Sequence, residues 1–251
     1  MNDGPSGGEN CAERGLLLIA AREPVPGFTK TRLGASIGME PAAMLYAAFL
    51  RDLAARFTPG PADQWDFDVG WAYTPAEADF GVVLAGLGCP PPPPSTRFVA
   101  QYGDGWDVRQ TNILRWGHEQ GYARTILVAS DSPQLPKATV CDAFTALVTH
   151  DVALGRTLDG GYYLIGMRGF HDVLGGVPMS TTSAADALAA RAEALGLTLA
   201  ELPQLFDIDE AEDLDRLHRA LSPDGAPAPA TWRALRRLGM LDSKTCPGDF
   251  D

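Results

Sequence analysis

Leu16-Leu17-Leu18-Ile19-Ala20 runs without a break into Ala21-Arg22-Glu23-Pro24-Val25-Pro26-Gly27-Phe28-Thr29-Lys30-Thr31-Arg32-Leu33. An apolar run with no polar alternation is what a strand covered on both faces requires, as in a parallel sheet. The change at Arg22 is abrupt. Pro24, Pro26 and Gly27 shape a loop, and Arg22, Lys30 and Arg32 put three cations within eleven residues. A basic loop at the carboxyl end of a buried strand suits a phosphate: Arg offers a planar fork and Lys a compact point charge. Only three of the 20 basic residues are lysines, so a lysine beside Arg32 points to a specific requirement. A merely solvated basic loop is the other reading. Neither a Walker loop nor GxGxxG is present.

Outward from this stretch, strand and helix alternate. Strands are expected at 67–73, 97–100, 125–129, 151–155, 162–167 and 198–202. Helices are expected at 41–57, with Pro41 at its first position, and at 76–87, 108–120, 137–149, 183–195, 210–221 and 232–238. Such alternation implies an α/β fold, a mostly parallel sheet with helices on both faces, whose ligands bind beyond the carboxyl ends of the strands. Residues 1–14 are polar and Gly-rich and expected to be disordered. Residues 15–221 form the expected folded domain, and 222–251 an extension with one short helix. Cys89–Pro94 is a stiff proline connector, either shaping an acceptor loop or making a homodimer contact.

Composition narrows the function classes. The 251 residues carry 32 Asp+Glu against 20 Lys+Arg, a net charge of -12. That field repels nucleic acid backbone and anionic membrane alike, so neither is an expected partner. The longest apolar run, about seven residues, falls far short of the roughly 20 that span a bilayer, and no basic-then-apolar leader opens the chain. Cys11, Cys89, Cys141 and Cys246 are widely spaced, which argues against structural zinc or a disulfide framework. The expectation is a cytoplasmic protein with free thiols.

Three further segments carry chemistry-bearing residues. Ser130-Asp131-Ser132-Pro133 follows the run Thr125-Ile126-Leu127-Val128-Ala129. A carboxylate leaving a buried strand can hold a divalent cation that keeps phosphates and water as its other ligands; it can equally form an Asx turn ahead of proline. Asp159-Gly160-Gly161-Tyr162 lies between two strand-like runs and reads as a hairpin turn or as a site where the backbone admits a ligand closely. In Asp207-Ile208-Asp209-Glu210-Ala211-Glu212, Asp209 and Glu212 have the spacing of an N-cap and its third residue, and the carboxylates at 207 and 209 can also share a cation. The four histidines are scattered and GxSxG is absent, so a hydrolase elbow is not expected. Trp106, after the loop Gln101-Tyr102-Gly103-Asp104-Gly105, can pack or line a pocket.

These segments, in this order, resemble a GT-A-like family often labelled glycosyltransferase, related to the phospholactate guanylyltransferases and, more distantly, to the molybdopterin-cofactor guanylyltransferases. The first motif is similar to Lys-x-Pro-x-Pro-Gly-x-x-Lys-Thr-Arg-Leu, with Arg22 for the first Lys. The second, Asp-Ser-Pro-x-Leu-Pro, is intact from Asp131 to Pro136. The third resembles Glu-Asp-Gly-Gly-Tyr-Tyr with Leu158 for Glu, and the fourth resembles Asp-Ile-Asp-Thr-Pro-Glu-Asp-Leu over Asp207 to Leu214. A Gln-x-Gly-x-x-Leu-Gly-x-Arg stretch is partly kept at Gln101, Gly103 and Arg109.

The resemblance implies a single-domain Rossmann-like GT-A fold and a nucleotidyltransferase that moves an NMP group from an NTP to a small phosphorylated acceptor with release of pyrophosphate; an NDP-sugar glycosyltransferase and a non-catalytic nucleotide-binding protein are the alternatives. It implies Mg²⁺ (or Mn²⁺) on Asp131 with Asp209 or Asp207. The nucleotide would lie on Ala20, Ala21, Arg22, Pro26, Gly27, Lys30, Arg32, Gln101, Ser130 and Ser132. The acceptor would lie on Asp159, Gly160, Gly161 and Tyr162, and catalysis would rest on Lys30, Arg32, Asp131 and Asp159. Lys30 and Asp131 are both expected in solvent-accessible loops.

Overall fold

The computed structural model describes residues 14–60, 65–179 and 181–241. In chain order the elements are β1 (Gly15–Arg22), α1 (Thr31–Ile37), α2 (Met39–Phe57), β2 (Phe67–Thr74), α3 (Phe80–Gly86), β3 (Arg97–Ala100), α4 (Trp106–Glu119), β4 (Arg124–Ala129) and α5 (Lys137–Ala146). They continue with β5 (Val152–Arg156), β6 (Tyr162–Arg168), α6 (Ala184–Ala194), β7 (Leu199–Glu201), α7 (Ala211–Leu221) and α8 (Pro229–Arg237).

The strands form one sheet in the order β3-β2-β1-β4-β6-β5-β7. β1 is parallel to both neighbours, β2 and β4. Only β6 runs the other way, antiparallel to β4 and β5. The cause is local: Thr157–Gly161 is a turn too short for the crossover that a parallel pair needs, and Gly160 takes φ 90° within it.

Side chains of β1 alternate between two apolar layers. Leu17, Ile19 and Ala21 join a cluster with α2, α5, α7 and α8. Leu16, Leu18 and Ala20 join a second with α4 and α6. Leu16 through Ile19 have no exposed surface, and burial of each such side chain contributes about 1.5–3 kcal/mol. The unbroken apolar reading of β1 thus follows from helices on both faces, as the expected α/β architecture requires.

Several elements differ from expectation; α4 starts two residues earlier and α5 ends three residues sooner. α1 was not anticipated; it starts directly after Lys30 inside the basic loop. α2 begins at Met39, so Pro41 is its third residue. α3 begins at Phe80, because the Asp79 side chain accepts from the Val82 amide and caps it there. α8 begins at Pro229, because the Asp52 carboxylate of α2 accepts from the amides of Ala230 and Thr231 at 2.8 and 2.7 Å. Ala228 and Leu235 pack into the same core as α2. Residues 1–13 and 242–251, with Cys11 and Cys246, lie outside the described residues; Cys89 and Cys141 are half-buried. No helix among the described residues is long and apolar enough to cross a membrane.

Candidate functional site

A cleft of about 850 Å³ opens at the carboxyl ends of β1 and β4. The topology dictates its position: every parallel strand points its carboxyl end to this edge, and β6 contributes its first residue, Tyr162, because it runs in reverse.

The first wall is the loop after β1. Glu23 still pairs with β2, its amide donating to the Thr74 carbonyl at 2.8 Å. The chain then folds on itself: the Phe28 and Thr29 amides donate to the Val25 carbonyl, and the Thr29 hydroxyl donates to the Glu23 carbonyl at 2.6 Å. Arg22 Nη1 donates to the Phe28 carbonyl at 3.0 Å, bracing the loop from below. The turn ends at Lys30, which caps α1 with φ 52° and ψ 46°. This left-handed conformation costs a residue with a Cβ about 1–2 kcal/mol, and Lys30 is the one non-glycine among the described residues that adopts it.

That backbone turn directs the lysine inward. Its side chain is only 6% exposed, against the expectation of an accessible loop residue, and Nζ lies 2.7 Å from Asp209 Oδ1 and 3.0 Å from Asp131 Oδ1. Burial works against the ammonium's charge, but the two carboxylates outweigh it and raise its pKa. Asp131, 34% exposed, is the more accessible partner. Arg32 meets the other oxygen of Asp209 and reaches Glu210 Oε1 at 3.5 Å. Burial raises the Asp209 carboxyl, but Lys30 and Arg32 hold it below the usual carboxylate range. Three loops that are distant in sequence thus meet on one ammonium.

Asp207 behaves oppositely. Its pKa is pushed up to about 6, first by burial and then by the charges of Asp159, Asp209 and Asp131. Lys30 and Arg32 are spent on Asp131 and Asp209 instead. The capping pair of α7 also falls one residue later than expected: Glu210 is the N-cap, and the Asp213 carboxylate accepts from the Glu210 amide.

The far wall is the β5–β6 turn. The Asp159 carboxylate accepts from the Thr157 hydroxyl and from the Gly161 amide, the latter at 3.0 Å. Gly160 fits because a Cβ there would lie 1.9 Å from the Thr182 carbonyl oxygen, so turn and α6 approach pack backbone to backbone. The Tyr162 hydroxyl accepts from Gln110 at 2.9 Å and donates to Met179 Sδ; burial raises its pKa.

Of the residues singled out in the sequence, Ala20, Ala21, Arg22, Lys30, Arg32, Gln101, Ser130, Asp131, Asp159, Gly161, Tyr162, Asp207 and Asp209 line this one cleft. Gln101 holds its wall by donating to the Ala72 carbonyl at 2.7 Å. Pro26, Gly27, Ser132 and Gly160 do not line it. Ser132 has no exposed surface and spends its hydroxyl on the Phe206 carbonyl at 2.9 Å, so it fastens the Asp207 segment to β4. Pro26 and Gly27 form the outer bend of the basic loop. Tyr46, Gln110, Met179, Arg216 and Trp106 line the cleft as well. The first four were not anticipated. Tyr46 and Gln110 carried a usable signal, since a polar group on the buried face of a helix requires a partner.

Among the described residues, no three His, Cys, Asp or Glu side chains are grouped to hold a metal ion. An ion here would take two carboxylates at most and complete its shell from substrate phosphates and water, which is the donor set magnesium accepts.

None of the curated proteins matches this sequence. The crystal structure of a protein of Desulfovibrio desulfuricans G20, described provisionally as a nucleotide-diphospho-sugar transferase, superposes with a TM-score of 0.78 at 28% identity, over 91% of this chain and 96% of that one. The 4-diphosphocytidyl-2C-methyl-D-erythritol synthase of Anaerococcus prevotii DSM 20548 superposes with a TM-score of 0.51 at 9% identity, over 84% of this chain and 97% of that one, a likeness of fold alone. Residues 69–181, from β2 to the approach to α6, match the model of the family described as "Uncharacterized protein conserved in bacteria (DUF2064)".

Proposed function

We propose that this chain is a transferase acting on a nucleotide donor, moving an NMP group from an NTP to a small acceptor with release of pyrophosphate, and assisted by a divalent metal ion. The observation that carries this reading is the meeting of Arg22, Lys30 and Arg32 with Asp131 across one cleft at the carboxyl ends of β1 and β4. A polyphosphate needs cations, and these come from one loop whose backbone is braced by its own hydrogen bonds.

The geometry supports the following roles. Arg32, 65% exposed at the cleft mouth, meets the outer phosphates, and its fork can engage two oxygens. Lys30 supplies a desolvated point charge deeper in. Arg22, fixed through the Phe28 carbonyl, orients the donor near Ala20 and Ala21, with Gln101 and Ser130 completing that wall. Asp131, with Asp209 or Asp207, would hold the metal ion, which would supply positive charge against the phosphates. Asp159, Gly161 and Tyr162 bind the acceptor. No protein nucleophile is needed: an acceptor oxygen attacks the α-phosphorus, the bond to pyrophosphate breaks, and the chain contributes positioning and fixed charge.

A second reading, glycosyl transfer from an NDP-sugar, is favoured by the description of the Desulfovibrio protein, whose chain this one matches nearly end to end. The same loop would then hold a diphosphate, and Asp159 would bind or deprotonate an acceptor hydroxyl. Incubation with each NTP and a panel of phosphorylated and hydroxyl acceptors, followed by pyrophosphate release, tests the first reading. Consumption of an NDP-sugar with no NTP turnover would replace it with the second.

A further inference from the structure

A site that is to hold a divalent ion between Asp131 and Asp209 already contains a cation. Lys30 Nζ bridges the two carboxylates at 3.0 and 2.7 Å, and the side chain that delivers it is 6% exposed. Its backbone is held in the left-handed region, φ 52°, a conformation that persists only where the surroundings over-determine it. Here those surroundings are the Thr29 and Arg22 contacts before it and the Gly34 amide, which donates to the Lys30 carbonyl at 2.7 Å. Arg32 takes the remaining oxygen of Asp209, so that carboxylate is saturated from two sides.

We infer that the Lys30 ammonium is the resident cation of this carboxylate pair, and that the free protein binds no divalent metal there until a polyphosphate arrives. The inference rests on the proposed donor reading for the polyphosphate but not for the state of the free protein. An ammonium has three N–H donors, two of which are spent on Asp131 and Asp209. A polyphosphate offers the same ammonium a stronger acceptor and brings a divalent ion on its own oxygens. Lys30 then shares its charge with the phosphates, and the more exposed Asp131 is released to the ion. The metal therefore enters as a complex with the donor's phosphates, and loop, ion and donor assemble in one step. An uncharged side chain at position 30 has the opposite consequence: it leaves two facing carboxylates with less counter-charge, a site that attracts a divalent ion by itself.

The test is equilibrium binding of Mn²⁺, read by electron paramagnetic resonance, with inorganic tripolyphosphate as the phosphate probe so that no base need be known. In the unaltered protein Mn²⁺ should bind weakly alone and about tenfold or more tighter with tripolyphosphate present. Lys30→Gln and Lys30→Met should each bind Mn²⁺ alone about tenfold or more tighter than the unaltered protein, and adding Asp131→Asn should remove that gain. Equal Mn²⁺ affinity in the unaltered protein and in folded Lys30 variants would overturn the inference. Should both variants fail to fold, the unaltered protein decides: tight Mn²⁺ binding without tripolyphosphate overturns the inference, and weak binding that tripolyphosphate strengthens supports it. Failure of tripolyphosphate and of every nucleotide to bind at all would sink the donor reading, while the Lys30 comparison without phosphate still judges the resident cation.

Discussion

The phenol oxygen of Tyr46 lies 2.7 Å from the Ser130 hydroxyl and also accepts from the Arg22 amide at 3.0 Å. One buried side chain of α2 thereby ties the end of β1, where the basic loop starts, to the end of β4, where Asp131 follows. The relative position of cations and carboxylate depends on this contact. Burial and then the Asp131 charge push the phenol's pKa up to about 12, so it is a neutral hydroxyl at neutral pH.

Tyr46→Phe keeps the ring and leaves the Arg22 amide and Ser130 hydroxyl short of a partner. The expected loss is about 1–3 kcal/mol of stability, measured by urea unfolding, together with weaker donor binding. Unchanged donor affinity would show that the two strand ends are held in register by something else.

Asp52→Ala removes both acceptors at the start of α8, where Ala230 and Thr231 donate. Loss of a cap costs about 0.5–2 kcal/mol, and α8 should lose amide protection in hydrogen exchange before the rest of the sheet does. Simultaneous exchange of α8 and α2 would argue that apolar packing alone seats it.

Gly160→Ala places a Cβ 1.9 Å from the Thr182 carbonyl at φ 90°. The turn must open or the approach to α6 must retreat, at a cost of at least about 1–3 kcal/mol in backbone strain alone. Thermal denaturation checks this. A variant as stable as the parent would mean that the Asp159 turn is looser than its packing indicates.

Stability should depend on pH through Asp207. Its folded pKa of about 6 stands above the ordinary 3.8, so between about 4 and 6 the folded state holds a proton that the unfolded state has released. Stability from this group therefore falls as pH rises from about 4 to about 6 and is level above. Asp209 works in the opposite sense: its pKa is depressed, so its contribution is present above the unfolded value and is lost as pH falls through the folded one. Asp207→Asn should abolish the decline between 4 and 6 in metal-free melts and be more stable than the parent at pH 7. A decline that survives the substitution would assign it to another group.

The fold was legible because its two central strands carry unbroken apolar runs, Leu16–Ala20 and Ile126–Ala129, which two covering layers of helix demand. Lys30, Arg32, Asp131, Asp159 and Asp209 were legible as candidates because each leaves a strand end or a turn. The connections among them were not. Lys30 and Asp209 are 179 residues apart, and no local pattern announces that pairing. A lysine in a Pro- and Gly-rich loop reads as exposed; only its left-handed backbone turns it inward. Asp52 and Ser132 were hidden similarly, because their polar atoms serve backbone groups of distant segments.

The central question is whether this cleft takes a nucleotide through its basic loop. Calorimetric titration of ATP, GTP, CTP and UTP, each with magnesium, into the parent protein and Arg32→Ala tests it, since Arg32 is 65% exposed and its removal spares the core. At least one nucleotide should bind, and the variant should bind it about tenfold or more weaker, as loss of a charged fork on phosphate requires; such a nucleotide reaches the cleft through Arg32. No binding by any of the four, or equal affinity in parent and variant, would contradict it.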